Sequence, residues 1–181
     1  MEYPEHYVAM AYTITPELPD LTREEYIRLL AGAREQENFT LYLLVKTFAL
    51  TGLPIQSLDD LTREAVNYGE IQTERKLYSQ AVHIPAMLRR ELLDYAMREG
   101  VRSGPLFRIR TGRPLNRSAI TNMISRLGEL KPGKVNPRGL KRLYQNTFAE
   151  HRRQADEWIE ASYVRLLEEE EKQAGWLTER R

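Results

Sequence analysis

The chain has 181 residues, 41% of them hydrophobic and 29% charged, with no cysteine and a net charge of +1. This length and composition fit one globular domain and exclude intrinsic disorder, disulfides and thiolate chemistry. No apolar run approaches the roughly 18 residues of a membrane span, and residues 1–6 are not a signal peptide, so the sequence predicts a cytoplasmic protein without membrane contact.

The first predicted elements are two helices. Thr22 and Glu25 form a capping-box pattern, and apolar residues then recur at helical spacing. Residues 38–51 are apolar around most of a helical circumference, which predicts a second helix in the core. Gly52 follows where a left-handed C-terminal cap is needed.

The hydrophobic period then changes to that of a β-hairpin. Residues 71–73 and 77–84 are predicted strands, with the turn at residues 74–76. Before them, Asp59 and Asp60 are adjacent and would diverge on a helix, so we expect them to cap the segment at Leu61.

The second half of the chain is again predicted to be helical. Pro85 begins a helix that ends at Gly100, residues 106–107 form a short buried extended segment, and residues 111–114 form a turn. Either Asn116 or Ser118 caps the next helix.

The last predicted helix opens at Asn136 and Pro137. Residues 140–174 contain neither glycine nor proline, which allows one long helix or two abutting ones. The sequence therefore predicts a mainly α fold with a small antiparallel β-sheet (α+β). Residues 1–20 are predicted to be an N-terminal extension and residues 21–181 the domain.

Charge is distributed unevenly along the sequence. Residues 1–70 hold 5 Lys/Arg against 12 Asp/Glu, residues 71–153 hold 18 against 6, and residues 154–181 hold 4 against 8. A basic middle of this kind indicates a surface for a polyanion, because neutralised phosphates release counterions. The alternative is a set of solvated helix faces whose charges mix once the chain folds.

A succession of short stretches across residues 21–150 resembles the catalytic domain of tyrosine recombinases (phage-integrase type). The family has a Leu-Thr helix start, a Thr-Gly-Leu-Arg end to a buried helix, a lysine in the hairpin turn, a Pro-Leu-Phe segment, a Gly-x-Pro-Leu turn and a Pro-His-x-Leu-Arg box. The corresponding positions here are residues 21–25, residues 51–54, Lys76, residues 105–107, residues 112–115 and residues 137–141.

The resemblance implies a site for DNA strand cleavage with several residues replaced. In the family a tyrosine attacks the phosphodiester, two arginines and a His or Lys stabilise the phosphorane, and a lysine protonates the leaving 5′-oxygen. Here the first arginine position is Pro54, the histidine position is Arg138 and the second arginine position is Lys141. Lys76 matches the leaving-group acid, or is a solvated turn lysine.

Two further positions stay open. If residues 146–149 instead match the family's His-Thr-Phe-Ala, then Gln145 replaces the second arginine. The only tyrosine after Tyr144 is Tyr163, which comes earlier than the family's nucleophile and could equally pack its ring on a neighbour. Trp158 and Trp176 are expected to be core or interface anchors. The candidate catalytic residues are Lys76, Arg138, Lys141 and Tyr163, and the candidate DNA-binding residues are Arg75, Lys76, Arg138, Lys141 and Arg142.

The resemblance implies a DNA-binding integrase or recombinase domain of a mobile element, acting on double-stranded DNA in site-specific recombination and integration, with impaired strand cleavage. Because the family works as tetramers on paired duplexes, it also implies a homo-oligomer on DNA. The family's N-terminal helical domain would need more than residues 1–20.

Two alternatives remain. The first is an active recombinase with a reorganised site that uses Tyr163 or a tyrosine of a neighbouring protomer. The second is a helical protein-interaction module that has lost DNA binding. No cofactor or metal is predicted, because His6, His83 and His151 have no ligand spacing.

Overall fold

The computed structural model describes residues 20–75, 78–127 and 135–174. Helices dominate these residues, and the two described strands form one small sheet, so the predicted mainly α fold class with a small antiparallel sheet is confirmed. Within the described ranges, no helix is long and apolar enough to cross a membrane. The elements are α1 Arg23–Glu35, α2 Phe39–Thr51, a 3₁₀ helix Ile55–Asp60, α3 Arg63–Tyr68, β1 Glu70–Arg75, β2 Tyr78–His83, α4 Ala86–Arg98, α5 Arg117–Ser125 and α6 Pro137–Ala174.

Helix α1 begins with the predicted capping box. The Thr22 hydroxyl accepts from the backbone N–H of Glu25 at 3.2 Å, and the Glu25 carboxylate accepts from the backbone N–H of Thr22 at 2.8 Å. Leu29 and Ala33 are buried, so α1 presents one apolar stripe to the rest of the domain. The prediction of a short amphipathic helix is confirmed.

Helix α2 is the centre of the core. Eight of its side chains are buried, and it packs against α1, α4, α5 and α6. The Asn38 side chain caps its start, and Gly52 ends it in the left-handed conformation, at φ 65°. The prediction of a core helix over residues 38–51 is therefore confirmed.

The two strands form an antiparallel hairpin with Glu70 paired to His83 and Arg75 paired to Tyr78. Ile71 is fully buried. The prediction of a turn over residues 74–76 was wrong for its first two residues, because the ladder continues through them. Extended pairing satisfies their backbone groups, which a polar sequence pattern does not reveal.

One helix, α3, was not predicted. The Thr62 hydroxyl accepts from the backbone N–H of Ala65 at 3.1 Å, and Gly69 ends the helix at φ 95°. The expectation that Asp59 and Asp60 cap the segment at Leu61 was wrong. Both aspartates lie in the 3₁₀ helix, and the cap is the threonine that follows.

The elements after the hairpin follow the predicted order. Helix α4 begins after Pro85. Residues 106–107 are buried as predicted, but they form a bend between the isolated bridges at Pro105 and Arg108 and not an extended segment. Asn116, not Ser118, caps α5, since its Oδ1 accepts from the backbone N–H of Ser118 at 2.8 Å.

Helix α6 is one continuous helix of 38 residues, which decides between the one long helix and the two abutting ones that the sequence allowed. Its buried residues all lie in the first turn, at Pro137, Gly139 and Leu140. From residue 145 onward every described side chain is exposed except Ser162, which is half-buried. The start of α6 therefore belongs to the domain body, and its second half projects from it.

Candidate nucleic-acid interface

A cleft lies between the first turns of α6 and the connection that follows α2. Its volume is about 530 Å³. We call it the cationic cleft, because α6 contributes three positively charged side chains to it. The described residues that line it are Pro54, Ile55, Gln56, Pro137, Arg138, Lys141, Arg142 and Gln145.

The wall contributed by α6 follows from how this helix begins. The Asn136 Oδ1 accepts a hydrogen bond from the backbone N–H of Gly139 at 2.9 Å, which sets the rotation of the first turn. Residues 138, 141, 142 and 145 are three or four positions apart and therefore lie on one face. Both alternative alignments of the last sequence box thus point to the same wall of the cleft.

Position 52 fixes the opposite wall relative to α6. A Cβ atom on Gly52 would lie 2.3 Å from Cδ1 of Tyr144, so the end of α2 packs directly on that ring. Tyr144 lies one turn after Lys141 on the same helix. Close approach of the two helices therefore holds Lys141 opposite Pro54.

A second cleft, of about 360 Å³, continues from the first and is bounded by the hairpin. Pro54, Lys141 and Gln145 line both clefts. On the far side the hairpin contributes the exposed His83 at the end of β2. Lys141 thus lies between the cationic cleft and the hairpin, in reach of an anion bound at either.

The three cations of the cleft differ in their surroundings. Arg138 is exposed and Lys141 is half-buried. The Nε of Arg142 lies 3.1 Å from the Asp20 carboxylate, which also accepts a hydrogen bond from the Asn146 side chain at 3.0 Å. Asp20 therefore offsets part of the Arg142 charge.

Sequence reasoning missed Arg117 at the edge of this site. It opens α5, and its Nη2 donates a hydrogen bond to the backbone carbonyl of Gln56 at 3.3 Å. The contact joins residues 61 positions apart, so no local sequence signal could have indicated it. It brings a fourth cation to the Pro54–Gln56 side of the cleft.

The structure separates the candidate nucleophile from the cleft. Tyr163 is 59% exposed on α6, and a helix rises 1.5 Å per residue, which puts it about 33 Å from Lys141 along the axis. Within one chain, Arg138 and Lys141 share a site and Tyr163 does not. Of the two candidates from the hairpin, Lys76 lies outside the described residues, and Arg75 is described only as the last backbone position of β1.

The cationic cleft is suited to binding a phosphate group. The N-terminus of α6 carries the positive end of the helix dipole, and Arg138 presents a guanidinium that can meet two phosphate oxygens at once. In the parts of the chain that the structure describes, no group of three His, Asp or Glu side chains could hold a metal ion.

Known proteins resemble this chain in structure, while no protein-family model and no curated protein matches its sequence. Among solved structures, XerA recombinase is 21% identical and matches with a TM-score of 0.62, covering 76% of this chain and 51% of that one. The XerH site-specific recombinase bound to its difH substrate is 18% identical and also has a TM-score of 0.62, covering 75% of this chain and 44% of that one.

A transposon enzyme matches as well. The Tn1549 transposon integrase, in complex with transposon right-end DNA, is 13% identical with a TM-score of 0.59, covering 75% of this chain and 55% of that one. The chain thus spans about half the length of the solved structures it matches. Likeness at this level of identity concerns the fold, and all three neighbours are recombinases or integrases. The described chain has a tyrosine recombinase-like fold.

Proposed function

We propose that this chain is a DNA-binding domain of the recombinase type, which takes part in site-specific recombination or integration of a mobile element in the cytoplasm. The observation that carries the proposal is the convergence of Arg138, Lys141 and Arg142 on one cleft at the N-terminus of α6. Duplex phosphates are the ligand that such a surface favours, since most protein–DNA contacts are made to the backbone.

The similar structures support duplex DNA as the partner. XerH is bound to difH, and the Tn1549 integrase is bound to transposon DNA. The cleft of this chain offers mainly phosphate contacts, so we expect affinity with little dependence on base sequence. Homo-oligomerisation on the DNA is part of the same proposal.

We further propose that strand cleavage is impaired. Pro54 provides neither charge nor donor at the first arginine position, and removal of one such group costs about 100- to 1,000-fold in related oxyanion sites. Lys141 is a point charge where a guanidinium fork would bind two oxygens. The distance of Tyr163 from Lys141 supports the same conclusion.

The binding proposal is tested by titrating a fluorescent duplex of about 30 base pairs at about 50 mM salt, where backbone contacts are strongest. Arg138→Glu combined with Lys141→Glu is expected to weaken binding by at least tenfold. Removal of each phosphate interaction should also flatten the dependence of log K on log salt by about 0.9. The matched control combines Arg28→Glu with Arg34→Glu, which reverses two exposed charges on α1 away from the cleft lining. Equal affinities of both variants would refute the proposal.

Cleavage is tested with a nicked suicide substrate, which traps a covalent protein–DNA adduct on a denaturing gel. We expect no adduct at protein concentrations that saturate DNA binding. An adduct that disappears in Tyr163→Phe would overturn impaired cleavage. Given the distance of Tyr163 from the cleft of its own chain, it would also show that a neighbouring protomer supplies the tyrosine.

A further inference from the structure

The second half of α6, which we call the projecting segment, covers residues 151–174. Every side chain in it is exposed except the half-buried Ser162. At 1.5 Å per residue it extends about 36 Å. Its described hydrogen bonds join residues of the helix itself, as in the bond from the Ser162 hydroxyl to the Trp158 carbonyl at 2.8 Å. The segment therefore has a large surface available to a partner.

Apolar side chains form a continuous stripe along this segment. Positions 155, 158, 159, 163, 166 and 167 recur at helical spacing and share one face, with Ser162 as a small polar position among them. Several are highly exposed, with Trp158 at 72%, Tyr163 at 59% and Leu167 at 56%. Exposed apolar patches of this kind mark interaction surfaces.

The opposite face is mainly polar, although it includes Val164, and part of its charge is paired within the helix. Arg153 makes ion pairs with Glu150 at 2.8 Å and with Glu157 at 2.5 Å, and all three point away from the stripe. Most helical stability in proteins comes from packing of an amphipathic face, so covering the stripe would stabilise the segment. The division into an apolar and a paired polar face is that of a helix which packs against one partner.

The stripe is complementary to itself when reversed. Arg152 stands at its N-terminal end and Glu169 at its C-terminal end, on the same side of the helix. If a second copy lay antiparallel, Arg152 of each chain would meet Glu169 of the other. In a parallel pair each of these charges would instead meet its own copy, which costs stability.

The apolar positions match in the same reversed register. Ala155 would face Leu166 of the second copy, so a small side chain meets a large one, and Ile159 would face Ser162. Alternation of large and small residues across the contact is how paired helices fill space. One reversed alignment thus satisfies the charges and the apolar volumes together.

We propose that the projecting segment is a dimerisation surface whose occupant is the same segment of a second copy, packed antiparallel about a two-fold axis. The contact is isologous, since each chain uses the same residues. It covers about five helical turns per chain. By mass action, the fraction of dimer rises with protein concentration. The surface is separate from the cationic cleft, so this dimer can form without DNA and its tests are independent of DNA binding.

The first test measures the oligomeric state of the full chain by sedimentation velocity over about 1–100 µM, a range that spans moderate affinities. The wild type is expected to shift from monomer to dimer. Ile159→Asp on the stripe should raise the dissociation constant at least tenfold. The matched control is Val164→Asp, since Val164 is 47% exposed on the other face and Ile159 is 45% exposed. A monomeric wild type, or equal effects of the two variants, would overturn the proposal.

The second test distinguishes an antiparallel dimer from other arrangements by charge exchange. Arg152→Glu and Glu169→Arg should each weaken the dimer, and the chain carrying both changes should recover it. In a parallel dimer, the double variant would not recover what the single variants lose.

A different site for the stripe is the apolar groove lined by Tyr26, Leu50 and Phe148. Weaker dimers in the single variants without recovery in the double variant would overturn the antiparallel arrangement.

A cross-linking test is simple because the chain contains no cysteine. Chains carrying Ala155→Cys are mixed with differently tagged chains carrying Leu166→Cys and oxidised gently. The antiparallel register brings the two engineered positions together, so the mixed disulfide is the expected product. Only like-with-like products, or none at protein concentrations where the chain dimerises, would contradict the register.

Discussion

Helix α2 and the projecting segment of α6 have similar apolar side chains, but these side chains are buried in α2 and exposed in the projecting segment. In α2, eight side chains are buried by contacts with four other helices. In the projecting segment, Trp158 and Leu167 remain exposed at 72% and 56%. A helical apolar pattern therefore predicts that one face of the helix is to be buried. It does not predict which surface covers that face.

The same contrast divides the molecule into a stable body and a dependent segment. The body contains the cleft, and its helices are held by buried apolar contacts. The projecting segment is held by its own backbone hydrogen bonds and surface ion pairs, which contribute little to stability. The cationic cleft therefore lies in the body of the domain.

The largest expected difference between the two regions concerns leucine truncation. Leu44 is fully buried in α2, so Leu44→Ala should lower the free energy of unfolding by about 2–5 kcal/mol. Leu166 is 49% exposed, and Leu166→Ala should change it by no more than about 0.5 kcal/mol. Urea denaturation at protein concentrations that keep the chain monomeric measures both. Comparable decreases would mean that the projecting segment is packed within the monomer.

A smaller effect is expected at the contact between α2 and the start of α6. Gly52→Ala places a Cβ atom 2.3 Å from the Tyr144 ring and forces a positive φ on alanine, which together should cost about 2–4 kcal/mol. Gly112→Ala is the matched control, because Gly112 has φ +84° and no atom within 4 Å of its added Cβ. It should cost about 1 kcal/mol, from backbone strain alone.

The same contact can be examined by combining two changes. If the clash with Tyr144 is the main cost, Gly52→Ala should be less harmful in a Tyr144→Ala background than in the wild type. Strict additivity of the two changes would show that the ring and the glycine do not interact. Chemical denaturation of the four chains measures this coupling.

The smallest expected effect is a decrease in the free energy of unfolding at high pH, caused by Tyr26 in the body of the domain. Burial of the Tyr26 side chain raises its pKa to about 12, with a further contribution from the nearby Tyr42 and Glu91. An unfolded tyrosine ionises near pH 10, so the folded state holds its proton longer and stability falls as the pH rises from about 10 to 12.

Between about pH 10 and pH 12, the free energy of unfolding of Tyr26→Phe should therefore decrease by about 1–2 kcal/mol less than that of the wild type. Partial exposure of the Tyr26 side chain keeps this difference below what the full pKa shift would give. Free energies of unfolding measured from about pH 9 to pH 12 give the comparison. Tyr163→Phe, which removes the same hydroxyl from the projecting segment, is the control. Identical pH profiles for Tyr26→Phe and the wild type would contradict the prediction.

Much of the fold could be predicted from local sequence signals. The capping box at Thr22, the cap at Asn136 and the left-handed end at Gly52 all form where expected. Such caps depend on residues three or four positions apart, so the sequence contains all the partners. The order of the short recombinase-like stretches likewise predicted the fold that the similar structures share.

Local signals failed where the partners are remote or the pattern is weak. Helix α3 has six residues, too few for a helical period to be recognised, and the extension of β1 depends on pairing across the hairpin. The assignment of functions to Lys76, Arg138, Lys141 and Tyr163 as one site was made by resemblance. Helix continuity puts Tyr163 far from the other two described members.

The sequence by itself determined the capped helix ends at Thr22, Gly52 and Asn136, the apolar core helix and the basic character of the middle of the chain, because each depends on neighbouring residues. Only the tertiary structure decided that Arg138 and Lys141 face Pro54, that Arg117 joins Gln56 across 61 positions, and that the second half of α6 stands away from the body. These relations depend on packing between segments that are distant in the sequence. The periodicity of one segment carries no information about the surface of the segment against which it packs.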